Sequence, residues 1–113
     1  MQTEMDITLP TKIFRSNNLD IDCHINVDLE DYTITAELFD RFGSSISLSS
    51  ADDDEIEIID EEDGTFTIHV EKDLTTLFHL NSYLEVTLID DEDKEQTVWF
   101  DVITFTDNVY MRA

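Results

Sequence analysis

Residues 19–27, "LDIDCHINV", alternate apolar and polar side chains without a break: Leu19, Ile21, Cys23, Ile25 and Val27 against Asp20, Asp22, His24 and Asn26. A period of two places one face of an extended strand in a core and the other in water, and no helical stripe has that spacing. "YTITAEL" repeats the rule with Tyr32, Ile34, Ala36 and Leu38, and "TFTIHV" with Phe66, Ile68 and Val70. Two longer stretches follow: "SYLEVTLI", with Leu84, Val86 and Leu88 inward, and "TVWFDVITF", with Val98, Phe100 and Val102 inward. Shorter strands are expected at 5–9, 45–48 and 55–59, and "NVDLED", "DRFGSS", "DEEDGT" and "DDEDKE" supply turns between strands. Many short strands with hardly any helical period predict an all-β, antiparallel β-sandwich of seven to nine strands. The exception is "EKDLTTLF", where Asp73 is expected to cap one short helical turn near 73–78 that tucks Leu77 and Phe78 under the sandwich edge.

The chain has 113 residues, which fits a single domain over 1–113 with its core in 19–105. Six Lys and Arg against 28 Asp and Glu give a net charge of −22. That self-repulsion argues against nucleic acid and membrane partners and leaves basic partners open. High charge alone would suggest disorder, but 41% of the residues are hydrophobic and they recur with a definite period. The lone Cys23 cannot form an internal disulfide, and no apolar run approaches the roughly 18 residues of a membrane span. The expectation is a soluble protein made in a cytosol.

Nine carboxylates crowd residues 51–64, "ADDDEIEIIDEEDG". Ile56 and Ile58 point inward there while Glu55 and Glu57 point out, so the run reads as a solvated strand face between acidic turns. An EF-hand fails on spacing: counted from Asp60, Gly64 falls at position 5 where the turn needs position 6, and the loop would run through the strand "TFTIHV". A looser Ca²⁺ site, built from carboxylates of the loops 52–63 and 90–95 meeting in space, is the minority reading. His24, His69 and His79 have no partner at zinc-like spacing and read as ordinary surface residues. With only Gly43 and Gly64 there is no phosphate-cradling loop and no nucleophile elbow. No catalytic residue, metal ligand or cofactor is expected, and the chain reads as a non-enzyme.

The order of motifs resembles a family. "NVDLEDYTITAELFD", "DEEDGTFTIHVEKDLTTLF" and "NSYLEVTLIDDEDKEQTVWFDVITF" are similar to the immunoglobulin-like modules of tailed-phage virion proteins, such as the N-terminal domain of phage baseplate upper proteins. The matching steps are Asp28-Leu29-Glu30-Asp31-Tyr32, Gly64-Thr65-Phe66, the Thr-rich "DLTTLF", Tyr83 opening the penultimate strand, and "EQTVWF" in the last. The family often has Gly before both tyrosines, where this chain has Asp31 and Ser82, and Gly in the last strand, where it has Asp101. The resemblance implies an immunoglobulin-like fold and a structural part in a tail, baseplate, fibre or head. The implied partners are other virion proteins or copies of the chain itself, in a virion assembled in the host cytoplasm. Two alternatives are an acidic DNA mimic that inhibits a host DNA-binding protein and a carbohydrate-binding module.

The final strand carries the expected contact surface. With Val98, Phe100 and Val102 inward, Trp99, Ile103 and Phe105 face the other way, extended by Val109, Tyr110 and Met111 of the tail. Such an apolar face suits protein docking, unless Tyr83 or the segment around Ile13 and Phe14 covers it. The last hairpin is expected to close on residues 91–93, with Asp90 opposite Lys94 and Val86 opposite Val98, which keeps Glu85 away from Asp101.

Overall fold

The alternating segment becomes strand β3 (Leu19–Ile25), buried and exposed by turns along its length. It is an inner strand of a four-stranded sheet in the order β1 (Met5–Thr8), β3, β7 (Thr65–Val70), β6 (Ile56–Asp60). A five-stranded sheet in the order β2 (Ile13–Phe14), β9 (Glu95–Thr106), β8 (Asn81–Ile89), β4 (Thr33–Phe39), β5 (Ser45–Ser49) forms the second layer. The structure, a computed structural model, describes residues 4–10, 12–15, 17–78 and 81–106. These nine strands and one short helix make the fold all-β, with one cluster of buried side chains between the layers.

The core draws Leu19, Ile21, Cys23, Ile25, Phe66 and Ile68 from one sheet and Ile34, Leu38, Leu84, Val86 and Leu88 from the other, all at positions that alternation selects. Among the described residues every strand pairing but one is antiparallel. The exception to the expected antiparallel pairing is β2, which runs parallel to β9, pairing Ile13 with Phe105 and Phe14 with Thr106. Tyr32 falls just before β4 rather than within it and is half-buried.

The helical turn, α1, spans Lys72–Thr75, and its N-cap is Glu71, with no side-chain capping bond. Asp73 is therefore inside the first turn and not the cap. Thr75 anchors the turn instead: it is fully buried and its hydroxyl donates to the Asn17 carbonyl at 2.8 Å. Phe78 enters the core as expected, whereas Leu77 stays exposed. In the β6–β7 turn Gly64 adopts φ +81, and a Cβ there would collide with the Ile25 carbonyl oxygen. Only glycine fits that approach between the turn and β3.

The hairpin of β8 and β9 holds the main departure from the sequence expectation. Near the turn the register is the one foreseen: Ile89 faces Glu95, Leu88 faces Gln96 and Thr87 faces Thr97. The Asp90 N–H donates to the Lys94 carbonyl at 3.0 Å, leaving residues 91–93 as the loop. Asp93 adopts φ 63, the left-handed residue that a three-residue hairpin loop requires. Then a β-bulge intervenes. Val86 faces Trp99 instead of Val98, so Val98 is an extra residue with no partner.

Because the side-chain period is two, one extra residue turns over everything beyond it. Trp99, Ile103 and Phe105 move to the inward face, and Phe100 and Val102 move outward. Ile103 and Phe105 are each 1% exposed, while Phe100 is 56% and Val102 46% exposed. Burying a large apolar side chain contributes about 1.5–3 kcal/mol. The bulge thus exchanges Phe100 and Val102 for Ile103 and Phe105, with Phe78 stacked on Phe105 at a ring-centroid distance of 6.1 Å. Val98 itself is partly buried against the core.

Candidate functional site

The docking face expected at Trp99, Ile103 and Phe105 is corrected by the bulge. Ile103 and Phe105 are core residues, and Trp99 packs partly buried against the core, its indole N–H without an acceptor among the described protein atoms. Val109, Tyr110 and Met111 lie outside the described residues. Tyr83 does not cover Trp99, because it projects from the opposite face of the sheet.

What the outer face presents instead is an aromatic cluster built across three strands. Phe39 from β4 stacks on Tyr83 from β8 at 5.5 Å, and Tyr83 stacks on Phe100 from β9 at 5.9 Å. Phe39 and Phe100 close the triangle at 6.2 Å. Val102, directly opposite Tyr83, extends the patch. Two of these residues were legible in the sequence: with Leu38 and Leu84 inward, Phe39 and Tyr83 must point outward. Phe100 was not, since its direction depends on the bulge.

Two residues along β4 and β8 from the rings, Glu37 and Glu85 stand directly opposite each other. Glu37 accepts a hydrogen bond from the Ser45 hydroxyl at 3.2 Å, and neither carboxylate meets a basic side chain among the described residues. Like charges in that position destabilise a sheet. Together with Thr35, Thr87, Glu95 and Thr97 they line a trough of about 320 Å³.

The outer face of the four-stranded sheet has a different organisation. His69 on β7 bridges its two neighbouring strands, with Nδ1 at 2.7 Å from Asp20 on β3 and Nε2 at 3.3 Å from Glu57 on β6. Its pKa is raised above the ordinary histidine value, chiefly by the hydrogen bond to Asp20; partial burial opposes the shift and Glu57 adds to it. His69 is therefore a tie between strands and not a plain surface residue. His24 is exposed at 3.7 Å from Asp63, and His79 lies outside the described residues.

The acidic loops act on their own backbones. Asp90 Oδ1 accepts the N–H groups of Glu92 and Lys94 at 2.8 and 2.9 Å, Asp28 that of Glu30 at 3.0 Å, Asp52 that of Asp54 at 2.9 Å and Asp60 that of Asp63 at 3.2 Å. Aspartates in turns do this because the short carboxylate reaches N–H groups two to four residues on. Among the described residues no three His, Cys, Asp or Glu side chains are placed to hold a metal ion. Cys23 is buried and its thiol is pushed up to about 12 by desolvation, with Asp22 adding to the shift, so it is held as a thiol.

No protein-family profile matches the sequence, and no curated protein matches it significantly. In structure the chain is similar to a polysaccharide deacetylase from Bacillus cereus, with a TM-score of 0.55 and 17% identity over 89% of this chain. The match covers 30% of that enzyme's length. At this identity the likeness concerns the fold alone.

Proposed function

We propose that this protein is a non-enzymatic, immunoglobulin-like structural module of a tailed-phage virion, making protein–protein contacts in the tail, baseplate, fibre or head. The observation that carries the reading is where the virion-type motifs fall. Asp28 to Tyr32 lead into β4, Gly64-Thr65-Phe66 opens β7 through a turn that tolerates only glycine, the Thr-rich segment is α1, and Tyr83 lies in β8. The first three steps thus fall at junctions between strands, while Tyr83 lies two residues inside β8, which begins at Asn81. The exposed aromatic cluster adds support, since contiguous apolar surface commonly marks a contact site. In this reading the chain is made in the host cytoplasm and resides in the particle.

A carbohydrate-binding module is the second reading, favoured by one observation: a stacked pair of rings, one of them exposed, lies beside a trough of carboxylates and hydroxyls on a sheet face. The DNA-mimic alternative needs an extended rod of carboxylates, whereas here many of them are engaged in turns. A mass-spectrometric inventory of purified particles tests the first reading, which expects the chain at structural copy number. Its absence from particles, with capture of a glycan or a basic DNA-binding protein from host lysate, would transfer the assignment to one of the alternatives.

A further inference from the structure

We propose that the outer face of the five-stranded sheet, at Phe39, Tyr83, Phe100 and Val102, docks a basic segment of a neighbouring protein whose Lys or Arg stems lie on the rings and whose charged heads reach Glu37 and Glu85. The inference rests on the reading of the chain as a protein-contact module. The apolar half of the site is the three-ring cluster, in which Phe39 and Tyr83 are half-buried and Phe100 is 56% exposed, with Val102 46% exposed opposite Tyr83. The charged half adjoins it: Glu85 stands directly opposite Phe100, about 5 Å across the ladder, and two residues along β8 from Tyr83. Glu37 and Glu85 face each other, and neither meets a basic side chain among the described residues.

Lys and Arg match both halves at once, because their aliphatic stems cover apolar surface while the head group stays polar, and a cation is favoured over an aromatic face. A cation between Glu37 and Glu85 would also turn a repulsive cross-strand pair into an attractive bridge. Charge decides among occupants. A second copy brings another −22 to the same place and is repelled. An acidic or neutral segment leaves the two carboxylates opposed as before.

The test uses the full chain and a blocked pentapeptide alternating arginine and leucine, titrated by amide NMR at about 0.15 M NaCl, where screening limits loose attraction. Shifts should centre on Tyr83, Glu85, Phe100 and Val102. Binding should weaken by about tenfold or more in a Phe100→Ser/Val102→Ser variant and again in Glu85→Gln. Neutralising the hairpin turn with Asp91→Asn and Glu92→Gln, which removes at least as much charge, should leave it unchanged. Because the shift map and Glu85→Gln need no change in the rings, the outcome does not hang on how the double variant folds. Equal weakening by the turn variant, or shifts confined to the acidic turns, would mean unspecific attraction and overturn the proposal. So would a concentration-dependent dimer abolished by Phe100→Ser, or the same shift map from chitohexaose with none from the peptide. Particle composition tests the virion reading separately, so either can fail alone.

Discussion

On the four-stranded sheet the solvent-facing carboxylates meet histidine and threonine partners, whereas on the five-stranded sheet Glu37, though it accepts from the Ser45 hydroxyl, stands opposite Glu85. Asp20 and Glu57 hold His69, Asp22 accepts from the Thr67 hydroxyl at 3.1 Å, and Asp63 accepts from Thr65 at 2.6 Å. Across the molecule, Glu37 opposes Glu85, and beside them lies a three-ring cluster whose Phe100 is exposed. Both faces belong to sheets with well-filled cores, so folding does not demand the difference. A face whose polar groups are mutually satisfied is built for water, while one that leaves charge and apolar surface unmatched has room for a partner.

A charge placed on either face of β9 tests the bulged register most directly. Ile103→Asp puts a carboxylate at a position 1% exposed, whereas Val102→Asp puts one at a position 46% exposed on the outer face. Losing the buried isoleucine at about 1.5–3 kcal/mol, with several more for desolvating the charge, consumes much of an ordinary domain's stability of about 5–15 kcal/mol. The expected result is no cooperative thermal transition for Ile103→Asp and a melt near that of the wild type for Val102→Asp; the opposite order would show that β9 lies in the simple register.

Alanine at the two phenylalanines of the same strand sharpens the contrast. Phe105→Ala should cost about 3–5 kcal/mol, as for a filled core site, and Phe100→Ala less than about 1 kcal/mol. Urea denaturation measures both, and similar costs would remove the distinction between inner and outer rings.

The four-stranded face should carry a pH signature that the other face lacks. His69 has a raised folded-state pKa, so its protonation stabilises the fold. That contribution is fully present below the unfolded value of about 6.5 and is lost as pH rises through the folded value. Wild type should therefore exceed His69→Gln in stability most at mildly acid pH, by under about 1 kcal/mol at this partly exposed site, and converge with it in alkali. A difference that is constant with pH would mean that packing, not charge, supplies what His69 contributes. Smallest of all, Glu85→Lys should stabilise the free chain by about 0.2–1 kcal/mol by pairing with Glu37. A loss of stability there would show that the opposed carboxylates do not strain the sheet.

Local rules explain what the sequence revealed and what it concealed. Unbroken alternation in 19–25 and 65–70 located β3 and β7 and their core residues, because each strand sits inside a sheet with one face buried. Asp-rich turns and Gly64 marked where strands end. The bulge left no such mark: Val98, Trp99 and Phe100 are all apolar, so neither register violates the pattern locally. The choice is made by distant contacts, with Phe78 and Ile13 meeting Phe105, and those depend on chain positions far from β9. One unmarked residue thus moved the expected contact surface from Trp99 and Phe105 to Phe100, Val102, Tyr83 and Phe39. The parallel pairing of β2 escaped for a similar reason, since two residues are too few to show a period.

Strand β9 is paired by β2 only at Phe105 and Thr106, so along 95–104 one side of its backbone has no strand partner among the described residues. A long apolar strand with a bare side normally invites copies of itself to add on, the first step toward fibrils. Two features already described oppose that. The bulge at Val98 bends the strand out of line with any straight newcomer. Asp101 sits on the inward register opposite Leu84, yet remains exposed, and its carboxylate takes the Val102 N–H at 2.7 Å. An arriving strand would find that donor occupied and would have to desolvate a charge to reach its neighbours. The chain can therefore be crowded at high local concentration, with its aromatic surface on view, and resist polymerising along its edge.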